Sequence, residues 1–156
     1  MIEIERKFLV ISENFKAKAT SYFSIKQGFL NTHPERTVRI RLQEDVGFLT
    51  VKGKSNDSHL TRFEWEKEIS KEDAEALLVL CEKGVIEKTR YHVNSGEHVF
   101  EIDVFEGDNK GLIVAEVELQ SEEEEFLKPK WLGEEVTGDI KYYNSQLSKN
   151  PFRNWI

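Results

Sequence analysis

Charged side chains of like sign recur two residues apart along this sequence of 156 residues. In a β-strand, residues i and i+2 point to the same side of the sheet, so each pair places one sign of charge on one face. The acidic pairs are 3/5, 101/103 and 116/118, and the basic pairs are 39/41, 52/54 and 88/90. Carboxylates bind hard divalent cations, whereas Arg and Lys bind phosphate oxygens. The pattern therefore indicates chemistry on a metal-bound polyphosphate.

Apolar residues occupy the alternate positions between these charges, which is typical of β-strands with two different faces. We predict about eight strands, mostly joined by short hairpin loops and therefore largely antiparallel. They lie near residues 2–8, 22–31, 38–42, 49–54, 62–69, 88–91, 101–104 and 116–119.

Helices are fewer, so the fold class is α+β with strands dominant. Ser70 precedes an apolar stripe of Leu77, Leu78, Leu80 and Cys81 that ends at Gly84. We also predict a short acidic helix from Ser121 to before Pro129, a last helix from Asp139 to about Lys149, and a short helix within 12–19.

Two arrangements of the charged face are consistent with the alternation. It is either a solvated surface, as in many antiparallel sheets, or the lining of a sheet curled into a closed barrel. Separation of the signs by strand favours the barrel, and so do the apolar stripes of helices that need a surface to cover. A charged lumen must hold water, ions or a charged ligand, because an uncompensated buried charge costs several kcal/mol.

Composition excludes several functional classes. With 22 Lys and Arg against 29 Asp and Glu, the net charge of −7 argues against general nucleic-acid binding. No apolar run approaches the ~18 residues of a membrane span. The single Cys81 supplies neither a disulfide nor a thiolate cluster, and we expect a cytoplasmic protein. The length fits one domain over residues 1–156.

The segment EIERK at 3–7 resembles the ExExK signature of the CYTH superfamily, the triphosphate tunnel metalloenzymes. The resemblance continues in order along nearly the whole chain, through QGFL (27–30), VRIRL (38–42), LTVKGK (49–54), RFEWE (62–66), EKTRY (87–91), EIDVFEG (101–107), AEVEL (115–119) and GEEVTGDIKYYN (133–144).

The resemblance implies an eight-stranded antiparallel β tunnel that uses Mg²⁺ or Mn²⁺ to act on a small-molecule triphosphate. The short form is most similar to tripolyphosphatases, which convert inorganic tripolyphosphate to pyrophosphate and phosphate. A class IV adenylate cyclase, a thiamine triphosphatase and a non-catalytic polyphosphate- or nucleotide-binding module are the alternatives. Many relatives form homodimers, but the sequence indicates no interface.

The resemblance also assigns individual residues. The metal ligands would be Glu3, Glu5, Asp103, Glu116 and Glu118. The phosphate-binding residues would be Lys7, Arg39, Arg41, Lys52, Lys54, Arg62, Lys88 and Arg90. Glu64 or Glu101 would orient the attacking water, and Lys88 is a further catalytic candidate. The family pattern also implies that Glu64 and Glu66 act either as metal ligands or as counter-charges that fix the Arg and Lys rotamers.

Aromatic residues give two further expectations. Phe29 stands where similar family members have Tyr, so this chain lacks that hydroxyl group and its substrate preference is open. Tyr142 and Tyr143 are expected to pack within the fold and to take no part in chemistry.

Overall fold

Eight antiparallel strands close into a barrel in the computed structural model, which describes residues 2–155. The strand order is β5-β4-β3-β2-β6-β7-β8-β1-β9, and an additional β5–β1 pairing closes the ring. The strands are β1 (Ile2–Val10), β2 (Ala19–Asn31), β3 (Arg36–Gln43), β4 (Val46–Ser55), β5 (Thr61–Ile69), β6 (Ile86–Ser95), β7 (His98–Phe105), β8 (Ile113–Glu118) and β9 (Leu132–Glu135). The predicted fold class is confirmed, and β9 is an additional short strand.

β1 completes the barrel by dividing one of its edges between two partners. Residues Ile2–Ile4 pair with β5, whereas Phe8 and Val10 pair with β9. The other edge of β1 pairs with β8. The chain that follows β8 therefore returns to the barrel and continues the wall where β5 leaves it.

Most of the hydrophobic core lies outside the barrel. Phe8, Phe100 and Ile102 alternate with the charged positions on their strands and pack beneath Phe15 and Trp131. On another side, Ile40 is covered by the first α-helix, α1 (Lys71–Val79). The apolar face of the sheet is outward, as the curled-sheet interpretation requires.

A second apolar cluster closes one end of the barrel. Leu9, Phe29, Ile86, Phe105 and Val114 continue the inward-facing positions of their strands, and they pack together with Tyr142 and Leu147 of the C-terminal region. The predicted tunnel is therefore blind at this end, because its inward positions change there from charged to apolar and the C-terminal chain covers them.

Helix prediction was correct in part. Ser70 caps α1 by accepting a hydrogen bond from the Asp73 amide at 3.0 Å. However, α1 ends at Val79, before Gly84, and Leu80 is exposed, so it does not belong to an apolar stripe. Residues 12–19 contain a 3-10 helix, Glu13–Lys18, capped by Ser12.

Two further helices differ from their predictions. The acidic segment after Ser121 is a turn, in which Glu122 and Glu124 bind side chains of the neighbouring wall and do not start a helix. Asp139 caps only a 3-10 helix, Ile140–Tyr142, because Tyr143 is extended, and the second α-helix is the short α2 (Asn144–Leu147). Further 3-10 helices are Gly107–Asn109 and Phe152–Asn154. No helix within residues 2–155 has the length and apolar character needed to cross a membrane.

The external core predicts a large stability effect at Phe100. Its fully buried ring lies edge-on to Trp131 at 5.3 Å between centroids. Phe100→Ala should lower the free energy of unfolding by about 3–5 kcal/mol, measured by denaturant titration, because it leaves a cavity. The neighbouring Val99 is half exposed, and Val99→Ala should change stability by about 0.5 kcal/mol or less. Equal effects of the two substitutions would contradict an external core.

Candidate active site

A charged cavity of about 250 Å³ occupies the interior of the barrel. Seven basic and seven acidic side chains line it together with a few polar and aromatic ones. The basic residues are Lys7, Arg39, Arg41, Lys52, Arg62, Lys88 and Arg90, and the acidic residues are Glu3, Glu5, Glu64, Glu66, Glu101, Glu116 and Glu118. All residues that the sequence assigned to the site line this cavity except Lys54 and Asp103.

The alternation predicted that Lys54 faces the cavity like Lys52, and this prediction is wrong. Its side chain is 72% exposed, and its ammonium lies 3.8 Å from Glu35 at the surface. The β4–β5 register shifts between Lys52 and Ser55, so inward and outward positions no longer follow period two beyond Lys52. Lys54 is therefore outside the candidate site.

The guanidinium groups of Arg39 and Arg41 lie together beside Glu66, on the adjacent strands β3, β4 and β5. Glu66 Oε2 lies 3.5 Å from Arg39 Nη2 and 3.6 Å from Arg41 Nη2, and it accepts a hydrogen bond from Thr50 Oγ1 at 2.7 Å. The Nε atoms of both arginines have no hydrogen-bond partner within residues 2–155. Burial and the charge of Arg39 lower the pKa of Arg41 to about 10. Such crowded bases favour a ligand with anionic oxygens.

Asp103 lies behind the cavity lining as the counter-charge of two bases. Its carboxylate accepts two hydrogen bonds from Arg90, at 2.7 and 3.0 Å, and pairs with Lys88 Nζ at 2.8 Å. Burial would raise the pKa of Asp103, but Arg90 and Lys88 outweigh it and lower the pKa to about 2. Because its oxygens are already engaged, Asp103 fits the role of a counter-charge better than the predicted role of a metal ligand.

Lys88 is the most buried base in this group, with a side chain only 2% exposed. Burial lowers its pKa to about 8, against the opposing effect of Asp103. The predicted catalytic candidate is therefore a lysine with an unusually acidic ammonium in the enclosed part of the cavity.

Glu5 and Glu116 are buried side by side. Burial raises the pKa of Glu5 well above its usual value, and the Glu116 charge adds to this shift. Burial also disfavours ionised Glu116, but Lys7 and a hydrogen bond from Glu5 hold its pKa well below the usual value. The two carboxylates therefore repel each other, and the cavity disfavours the form in which both are ionised.

A divalent cation fits this carboxylate pair, since its positive charge would relieve the repulsion between Glu5 and Glu116. Glu3 lines the same cavity, and burial together with the charges of Glu64 and Glu116 raises its pKa. No three His, Cys, Asp or Glu side chains within residues 2–155 form a ready coordination group. Mg²⁺ commonly binds through one or two carboxylates and completes its shell with water and substrate phosphates, so the pair of Glu5 and Glu116 would suffice as protein ligands.

Glu101 and Glu64 lie where the cavity is more open. The Glu101 side chain is 42% exposed, and its Oε2 lies 3.4 Å from Arg90 Nη1 and 3.3 Å from His92 Nε2. Burial would raise the pKa of Glu101, but the His92 hydrogen bond and Arg90 lower it. Glu64 pairs with Lys52 at 3.4 Å.

Sequence reasoning missed the contribution of the C-terminal chain. Tyr143, Asn144 and Ser145 line the cavity, so the expectation of mere packing was wrong for Tyr143, although Tyr142 does pack in the apolar cluster. The Tyr143 ring lies 5.2 Å from Lys7 Nζ and 5.6 Å from the Arg62 guanidinium carbon. The motif GEEVTGDIKYYN was the available signal, because it places polar residues next to the two tyrosines.

The ion-pair group around Asp103 predicts a strong dependence of stability on one carboxylate. Asp103→Asn leaves Lys88 and Arg90 buried without that charge and should lower the free energy of unfolding by about 3–5 kcal/mol in denaturant titrations at neutral pH. Since the folded-state pKa is depressed, the contribution exists above the unfolded pKa of about 4 and disappears as the pH falls through about 2. Glu101→Gln, at a half-exposed carboxylate, is the control and should cost about 1 kcal/mol or less. Equal losses would contradict the counter-charge role.

Comparisons with known proteins agree with this geometry. The family described as CYTH domain matches residues 1–149. A relative from Acetivibrio thermocellus, named inorganic triphosphatase, is 44% identical over 154 residues, which cover 98% of this chain and 97% of the relative. Another inorganic triphosphatase, from Nitrosomonas europaea, is 38% identical over 152 residues, covering 95% of this chain and 97% of the relative.

The fold is also similar to a known crystal structure. An inorganic triphosphatase structure superposes with a TM-score of 0.67 and 36% identity, covering 94% of this chain and 97% of the other. The family match over nearly the whole length, the two relatives and the barrel agree, and the chain belongs to the CYTH domain family.

Proposed function

We propose that this protein hydrolyses a triphosphate with the help of a divalent metal ion, and that inorganic tripolyphosphate is its leading substrate. The products would be pyrophosphate and phosphate. The observation that carries the proposal is the enclosed cavity in which seven basic and seven acidic side chains meet. The names of the two relatives, both inorganic triphosphatases, support the same activity.

The charge balance of the cavity favours a polyphosphate that arrives together with a cation. Equal numbers of bases and acids leave little net positive charge to hold a bare polyanion. A triphosphate with a divalent ion offers both signs: its oxygens to Arg and Lys, and the ion to the carboxylates. Of the four predicted ligands in the cavity lining, Glu5 and Glu116 would hold the ion, either Mg²⁺ or Mn²⁺, with Glu3 and Glu118 close by. The bound ion would neutralise charge on the phosphate oxygens.

Phosphoryl transfer requires positioning and charge stabilisation from the protein. The oxygen of a water molecule bonds to the terminal phosphorus, the bridging P–O bond breaks, and pyrophosphate leaves with the electron pair. Arg39, Arg41 and Lys88 stabilise the charge that develops on phosphate oxygens. One proton of the attacking water passes to a carboxylate, and the other stays on the phosphate that forms.

Glu64 suits this proton transfer better than Glu101. The charge of Arg90 and the His92 hydrogen bond lower the pKa of Glu101, which makes it the poorer proton acceptor. Glu64 lines the same cavity and pairs with Lys52. We therefore assign Glu64 to orienting the water and Glu101 to holding Arg90.

Two expectations from the sequence accompany this proposal. The single thiol Cys81 needs no oxidising compartment, which supports a cytoplasmic location. The family resemblance also predicts that the protein forms a homodimer, and this stays a prediction.

A substrate panel tests the proposed activity. Incubated with Mg²⁺, the protein should release phosphate from tripolyphosphate faster than from ATP or thiamine triphosphate, and excess EDTA should abolish release because the carboxylates lose their cation. Phosphate release and cyclic AMP would be quantified together. Cyclic AMP from ATP would indicate a cyclase, and tight tripolyphosphate binding without product would indicate a binding module. Full activity in EDTA would contradict the metal role.

The buried carboxylate pair predicts which acids turnover requires. Glu5→Gln or Glu116→Gln should reduce kcat for tripolyphosphate by about 100-fold or more, because each removes a charge that the reaction needs. The exposed Glu123 is a matched control, and Glu123→Gln should retain wild-type kcat. Wild-type turnover by Glu5→Gln at low Mg²⁺ concentration would exclude this pair as the metal site.

A further inference from the structure

The C-terminal chain reaches the cavity through one amide side chain. Asn144 begins α2, which packs over the closed end of the barrel. Its Oδ1 accepts hydrogen bonds from Lys88 Nζ and from Gln27 Nε2, each at 3.0 Å. Asn144 thus joins β2, β6 and the covering segment at the position of the most buried base.

Lys88 determines which end of the Asn144 side-chain amide faces its ammonium group. An ammonium group has only donors, so Asn144 must turn its oxygen towards it. Gln27 must then present its amide nitrogen to the same oxygen, and Gln27 Oε1 remains without a hydrogen-bond partner within residues 2–155, although the side chain is fully buried. If the contact served only to anchor the segment, the side-chain amides of Gln27 and Asn144 could each donate and accept one hydrogen bond, and Gln27 Oε1 would have a partner.

The same contact restricts the direction of the lysine. The Lys88 ammonium has three N–H donors. Asp103 Oδ2 accepts one at 2.8 Å, and Asn144 Oδ1 accepts another. With two of the tetrahedral directions occupied, the third is left for a ligand in the cavity that Lys88 lines.

We infer that Asn144 is a positioning residue that directs the free N–H of Lys88 towards the phosphate group undergoing transfer. The inference rests on the proposed function, since it assigns a partner to the catalytic lysine of that reaction. The segment that covers the closed end is then also part of the active site, because a displaced Lys88 no longer faces the reacting group.

Three variants separate positioning from anchoring. Asn144→Leu removes the acceptor with little change in size, and Asn144→Asp keeps an oxygen at the same reach. Ser148→Ala removes a hydrogen bond within the same segment, and its side chain is not among those that line the cavity. For tripolyphosphate hydrolysis with Mg²⁺, Asn144→Leu should lower kcat by about 10–100-fold with KM within about threefold. Asn144→Asp should retain kcat within about fivefold with a higher KM, because it adds negative charge. Ser148→Ala should match wild type in both constants.

Each alternative outcome has a definite meaning. Unchanged kcat in Asn144→Leu, or an equal loss of kcat in the leucine and aspartate variants, would overturn the positioning role. Thermal unfolding would confirm that the variants are folded, and Asn144→Ala would replace a leucine variant that is not. A wild-type protein that releases no phosphate would contradict the proposed function itself, whereas an active wild type with an equally active Asn144→Leu contradicts only this inference.

Discussion

Ionised side chains can line the inside of this barrel because opposite charges lie beside one another there. Removing a lone charge from water costs several kcal/mol, so an inward-facing base needs an acid within reach. Lys52 lies 2.8 Å from Glu3, and Lys88 lies 2.8 Å from Asp103. This pairing makes the charged side of most strands the inner one, and the apolar side must then be covered from outside.

The apolar closure of one end follows from the same alternation. Leu9 continues the inward positions of Glu3, Glu5 and Lys7, and Phe105 continues those of Glu101 and Asp103. Once inward positions are apolar, the barrel end needs an apolar cover, which the C-terminal chain supplies. The same segment also places Tyr143 and Asn144 in the cavity lining, so the chain that closes the barrel end also completes the site.

The sequence predicted most of the lining because period two determines which side chains share a face. The barrel itself followed from the separation of signs by strand, the apolar stripes of the helices and the family resemblance. Lys54 was assigned wrongly because a register shift after Lys52 depends on how β4 meets β5, which no pattern within one strand reveals. Asp103 was placed on the correct face, but its commitment to Arg90 and Lys88 depends on register between strands. Asn144 was not found, since only tertiary packing brings the C-terminal chain to Lys88.

The acids of the cavity divide into two groups by their neighbours. Glu66 contacts Arg39 and Arg41, and its negative charge holds the two guanidinium groups in place. Donors held in this way need no reorganisation when phosphate oxygens arrive. For Glu5, burial and the neighbouring Glu116 charge instead raise the pKa and disfavour the ionised form. Glu66 therefore arranges the phosphate site, whereas the mutual repulsion of Glu5 and Glu116 gives that pair a reason to bind a cation.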